Sequence, residues 1–181
     1  MTTYVLGGGC FWCLDGVYAQ LRGVTSVESG YAGGDKPADY WRVVGGRTGH
    51  AEVTRVSFDE AVIPADVILD MFFLIHDPTS LNRQGADEGT QYRSTMMYRD
   101  DDQKSAFEQA RQRAEQLWDQ PIVTEIVPLK EFYLAEPEHQ DFYARNSETG
   151  YCQIVINPKI SKARQTYNNW FKEVHYATDQ V

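Results

Sequence analysis

Apolar residues along the chain change their spacing in a sequence that predicts alternating strands and helices. Residues 2–8 (TTYVLGG) read as a short strand running into glycines. Over 11–21, Phe11, Leu14, Val17, Tyr18 and Leu21 recur at helical spacing. Val24 to Tyr31 predicts a strand closed by Gly33 and Gly34. Ala51 to Phe58 alternates, with Ala51, Val53, Arg55 and Ser57 on one face and Glu52, Thr54, Val56 and Phe58 on the other. Pro64 opens a helix with the apolar stripe Val67, Ile68, Met71, Phe72 and Ile75, since proline is favoured at the first helical position. A strand follows at 93–98. Asp100 to Asp102 form an N-cap region for a helix to Trp118, with Phe107, Ala110, Ala114 and Leu117 inward. Another strand is predicted at 122–129. Residues 34–50 and 76–92 are long polar connections, and loops of that length are usually functional. Beyond 130 the signals thin, leaving a short helix at 137–145 and an outer one at 160–175.

This order predicts an α+β two-layer sandwich with a ferredoxin-like kernel. At 181 residues the chain suits a single catalytic domain, 1–181, with 154–181 as an irregular or helical extension. Its 42% hydrophobic and 24% charged residues are ordinary for a globular protein. A net charge of -9 argues against a nucleic-acid surface, which needs clustered Lys and Arg. No apolar run of about 18 residues is present, so no membrane span is expected. The N-terminus lacks a basic n-region and a long apolar stretch, so a secreted product is not expected and a cytoplasmic one is. Three cysteines suit a disulfide scaffold poorly and reactive or metal-bound thiols in a reducing compartment better.

Gly7-Gly8-Gly9-Cys10-Phe11-Trp12-Cys13 carries the most chemistry. The glycines allow close backbone approach, and the helix beginning after them points its partial positive end at Cys10. That position is expected to lower the thiol pKa and make Cys10 nucleophilic. The plainer reading is a buried cysteine acting as a small hydrophobe. Cys10 and Cys13 form a C-x-x-C pair, neighbours on a helix that a disulfide could bridge. The pair predicts redox work or a metal. A general thiol–disulfide oxidoreductase would use Cys10 and Cys13, and a zinc module could use Cys10, Cys13, Cys152 and His139, although no second metal-spaced pair exists.

Gly-Cys-Phe-Trp at a helix start resembles the signature of A-type peptide methionine sulfoxide reductases. Further matches follow in order: Gly30-Tyr31-Ala32-Gly33-Gly34, Tyr40, Thr48-Gly49-His50-Ala51-Glu52, His76-Asp77-Pro78, Arg83-Gln84-Gly85-Ala86-Asp87, Gly89-Thr90-Gln91-Tyr92-Arg93-Ser94 and Gly150-Tyr151-Cys152. The resemblance implies an α+β sandwich and reduction of the S epimer of methionine sulfoxide, in proteins or free, with thioredoxin as reductant and no cofactor or metal. It implies Cys10 as nucleophile, with Phe11 and Trp12 holding the methyl group. Glu52, Tyr40 and Tyr92 would surround the sulfoxide oxygen, with Asp87 nearby. Cys152 matches the family's recycling cysteine, whereas many members carry Gly where this chain has Cys13.

Sulfoxide oxygen leaves only when protonated or strongly hydrogen-bonded. Burial of Glu52 would raise its pKa toward neutrality and keep that proton available. Hydroxyls of Tyr40 and Tyr92 could donate to the same oxygen. A lone strand Glu is more often solvent-facing, and lone tyrosines and histidines such as His50 and His76 are more often structural. Oxygen transfer would leave Cys10 as a sulfenic acid, which condenses with Cys152 or Cys13 to a disulfide for an external dithiol to reduce. A Gly-flanked, loop-borne Cys152 is expected to swing toward Cys10 more easily than Cys13, one helical turn inside.

Overall fold

Period-two and period-3.6 segments sort their apolar residues onto the two sides of one sheet. The computed structural model describes residues 1–35 and 37–173. The chain runs β1 (Thr2–Gly7), α1 (Phe11–Tyr18), β2 (Val24–Ala32), α2 (Tyr40–Val44), β3 (Ala51–Phe58), α3 (Ala65–Ile75), a hairpin of β4 (Arg83–Gln84) and β5 (Asp87–Glu88), β6 (Thr95–Tyr98), α4 (Asp101–Glu115), β7 (Glu125–Pro128), β8 (Phe132–Leu134), α5 (Phe142–Asn146) and α6 (Asn157–Tyr167). The sheet order is β7-β6-β1-β3-β2-β8. All pairings are antiparallel except β6 with β7. Its central β6-β1-β3-β2 order, with α1 and α3 as crossovers, is the expected ferredoxin-like kernel.

Alternation decides which side each strand residue serves. Tyr4, Leu6, Val56, Phe58 and Met96 join the helices in the main core, while Val5, Ala51, Val53 and Met97 form a smaller cluster on the opposite face. Phe132 of the unanticipated edge strand β8 packs against that smaller cluster. Glu52 shares the helix-covered face with Val56 and Phe58, so it is buried where a lone strand carboxylate is usually wet.

Helix α1 ends at Tyr18, earlier than the periodicity suggested, yet Leu21 remains buried and bridges Phe171. Asp100 caps α4 by accepting the Gln103 amide at 2.8 Å, as expected of that acidic run. Leu117 is 83% exposed, contrary to expectation, because α4 stops at Glu115 before the stripe reaches it. The stretch 34–50 holds the short helix α2, capped by Asp39, and 76–92 holds the β4–β5 hairpin and a 3-10 turn, Thr90–Tyr92. The expected 137–145 helix divides into a 3-10 turn, Pro137–His139, and α5. The outer helix is α6, entered through a π-helical turn over Cys152–Ile156; the last two residues of the expected 160–175 span lie outside the described residues.

Candidate active site

Strand β1 delivers the chain to the site through glycines that nothing larger could replace. A Cβ at Gly7 would lie 2.9 Å from the Glu52 carbonyl, and Gly9 has a φ of 91°, the left-handed region glycine tolerates. Cys10 then caps α1, with the Cys13 amide donating to its carbonyl at 3.0 Å. Pairing of β3 with β2 sets Glu52 opposite Tyr31, and the Phe11 amide donates to Glu52 Oε2 at 3.1 Å. The helix start therefore holds both the sulfur and the acid.

Two cavities meet at Cys10. The smaller, about 100 Å³, is lined by Cys10, Phe11, Trp12, Tyr40, Glu52, Asp87 and Tyr92, all seven of the residues expected to surround a sulfoxide, with Tyr151 as the eighth. The other, a groove of about 430 Å³, has Cys10 and Cys13 in its lining and runs along α6 past Lys159. Tyr151 and Asp87 line both and form the partition, the hydroxyl donating to Asp87 Oδ2 at 3.3 Å. Tyr151 lies 3.8 Å from Cys13 Sγ as well.

Aromatic packing shapes the small cavity. Phe11 is fully buried, its ring 5.8 Å from Tyr31, so it is chiefly core with one edge on the pocket. Trp12 stacks on Phe142 at 3.7 Å between centroids and on His139 at 5.6 Å. Asp15, buried in the same helix, takes the amides of Phe142 and Tyr143 and so clamps α5 against Trp12. Glu136 accepts the Tyr40 amide and the Tyr31 hydroxyl, both at 2.8 Å, fixing the start of α2. No hydrogen bond to another described residue occupies the hydroxyl of Tyr40 or Tyr92.

Burial dominates the titration of the site. The Glu52 carboxyl is pushed up to about 7 by desolvation, with the Asp87 charge adding and the Phe11 amide opposing. Cys10 is 8% exposed, and its thiol is raised well above its ordinary value by burial, then by Glu52 and Cys13. The Trp12 amide and the Tyr151 hydroxyl pull the other way without prevailing. This corrects the expectation of a resting thiolate: in the closed pocket desolvation outweighs the helix end, and a neutral thiol sits beside an acid that donates or accepts near neutrality. Cys13 is raised by burial too, but Lys159 opposes the shift.

Cys152 also departs from expectation. It is fully buried at the start of the π-helical turn, lines neither cavity, and is not loop-borne. His76 bonds the Phe72 carbonyl and Ser94 Oγ at 2.5 and 2.7 Å, and burial lowers it to about 4, a structural role. His50 accepts the Gly34 amide at 3.1 Å and closes its loop. His139 packs against Trp12, Phe11 and Tyr40, and among the described residues no three His, Cys, Asp or Glu side chains gather as metal ligands. Tyr151, Lys159 and Glu136 were not singled out from the sequence. Only adjacency to Cys152 signalled the first, and nothing local signalled the others.

The family profile described as Peptide methionine sulfoxide reductase matches residues 2–171. The chain belongs to the peptide methionine sulfoxide reductase family. Peptide methionine sulfoxide reductase MsrA of Arthrobacter sp. (strain FB24) is 61% identical over 171 residues, covering 94% of this chain and 98% of the relative. Mxr1 from Saccharomyces cerevisiae in its reduced form superposes with a TM-score of 0.76 at 36% identity, covering 83% of this chain and 88% of Mxr1. Mxr1 in complex with Trx2 matches at 0.55 and 25% identity, over 78% and 84% of the two chains. The family read from the ordered motifs is thus the right one. A general thiol–disulfide exchanger would have no use for the acid and phenols around Cys10.

Proposed function

We propose that the chain reduces the S epimer of methionine sulfoxide, in proteins and as the free amino acid, with Cys10 as nucleophile and a thioredoxin-like dithiol protein as reductant. The observation that carries this reading is the contact of one buried thiol with one near-neutral acid at the floor of a small aromatic pocket. Phe11 and Trp12 offer an apolar wall for the methyl group, while Tyr40 and Tyr92 offer free hydroxyls to the oxygen. As Cys10 sulfur bonds to the oxygen-bearing centre, Glu52 gives its proton to that oxygen and regains one from the Cys10 thiol. The bonds from methionine sulfur to Cys10 and to oxygen then break as the hydroxyl passes to Cys10 sulfur. Methionine sulfur is so reduced by two electrons and Cys10 is oxidised to the sulfenic acid. Neither group need carry an unpaired charge at rest, which a buried site would penalise.

Cys13 takes the second step in this reading, since it shares the groove with Cys10 while Cys152 is shut away from both cavities. Cys152 joins later, as a relay once its π-helical turn opens; such turns are often functional. Mxr1 has been captured with Trx2, which supports a dithiol protein as the final reductant. The chain acts as one catalytic domain, with residues 154–173 supplying a groove wall. No helix among the described residues is long and apolar enough to cross a membrane, and the three cysteines are free, in keeping with a cytoplasmic enzyme. The test uses each sulfoxide epimer separately with dithiothreitol. Turnover of the S epimer alone, abolished by Cys10→Ser, is expected. Activity confined to the R epimer, or surviving in the variant, would overturn the reading.

A further inference from the structure

Lys159 is a partly buried cation that forms no ion pair with a carboxylate among the described residues. It projects from the first turn of α6 into the groove that holds Cys13, where its ammonium is the foremost group favouring an ionised Cys13 sulfur. Lysines are rarely buried without a partner, and here the groove sets the Cys13 thiol on the same lining as the Lys159 ammonium. Resting on the reading that Cys13 resolves the sulfenic acid, we propose that Lys159 is the residue that activates Cys13, easing the ionisation of its buried thiol for attack on oxidised Cys10.

The groups around that sulfur come from three elements. Cys10 faces it from α1, Asp77 and Asp87 from the 76–92 connection with neutral His76 behind, and Tyr151 and Lys162 from the segment leading into and along α6. Both carboxylates oppose a thiolate, so Lys159, with Tyr151 as a neutral donor, supplies the counterweight. In the step itself the Cys13 thiolate attacks Cys10 sulfur, an S–S bond forms and the S–O bond breaks. The departing hydroxide takes the Glu52 proton and leaves as water, while the proton Cys13 lost passes to solvent, from which Glu52 is recharged. The two-electron oxidation first carried by Cys10 is then shared by the two sulfurs until an external dithiol removes it.

The test is made in full-length protein carrying Cys152→Ser, so that Cys10 and Cys13 are the only thiols. One equivalent of methionine sulfoxide is added, and the disulfide is followed by quenching with an alkylating agent. Lys159→Met is expected to slow disulfide formation about tenfold at neutral pH and move its pH midpoint up by about one unit, the usual influence of one neighbouring charge. Lys159→Arg is expected to restore most of both, and methionine formation in the first turnover stays unchanged. With Cys10→Ser added, alkylation of the single remaining Cys13 reads the same midpoint directly. An unmoved midpoint and rate in Lys159→Met would overturn the role of Lys159 while leaving Cys13 as resolver. Failure of the Cys152→Ser protein to form any disulfide would overturn the Cys13 reading itself, and this proposal with it.

Discussion

The small pocket and the groove touch the same sulfur, yet they are built from opposite chemistry. On the pocket side Cys10 meets an acid near its midpoint and two phenols whose hydroxyls no other described residue occupies. On the groove side it meets a second thiol and two lysines, Lys159 and Lys162, set against Asp77 and Asp87. Oxygen transfer needs a proton given to a departing oxygen, whereas disulfide chemistry needs a thiolate held ready. One site cannot easily favour both protonated acid and ionised sulfur. In the proposed cycle, dividing them across the Tyr151–Asp87 partition would let each half have its own electrostatics.

The largest effect expected from breaking one side falls on the groove. Cys13→Ser should release one equivalent of methionine per enzyme at the normal rate and then stall, with Cys152→Ser losing far less turnover. Counting methionine against enzyme under excess dithiol protein checks this; equal losses in the two variants would put Cys152 first. Next comes the pocket. Glu52→Gln should slow the first turnover about a hundredfold, the usual worth of a positioned acid, with substrate affinity nearly intact. In the wild type that step should decline as pH rises through about 7, because Glu52 then loses the proton it must give, and the decline should vanish in the variant. The raised carboxyl has a matching stability consequence: its contribution is fully present below the unfolded value of about 4.3 and lost as pH rises through about 7. Smallest is the partition itself. Tyr151→Phe keeps the ring and removes one hydrogen bond to each side, so both steps should slow, by about fivefold. A loss confined to one step would show that Tyr151 belongs to that side alone.

How much of this was legible in the sequence follows from the range of the interactions involved. The kernel could be read because Leu6, Val56, Phe58 and Phe72 keep their period and each faces the core its pattern predicts. The pocket could be read because its residues sit in compact motifs, seven of which converge as expected. Leu117 misled because a helix end three residues early turns a stripe position outward. The protonation of Cys10 was missed for a deeper reason. A helix start is local and visible, while the desolvation that outweighs it comes from burial beneath Tyr151 and the loops, which no spacing encodes. The groove was invisible likewise, since Cys13 and Lys159 are far apart in the chain and carry no shared pattern.

The most direct measurement is a quenched-flow comparison of Glu52→Gln and Cys13→Ser, following methionine release and disulfide formation separately in each protein. A divided site predicts a crossed result: Glu52→Gln slows methionine release, and Cys13→Ser leaves release at the wild-type rate but yields no early disulfide. If Cys13→Ser slows methionine release as much as Glu52→Gln does, the two cavities do not divide the work and the account is contradicted.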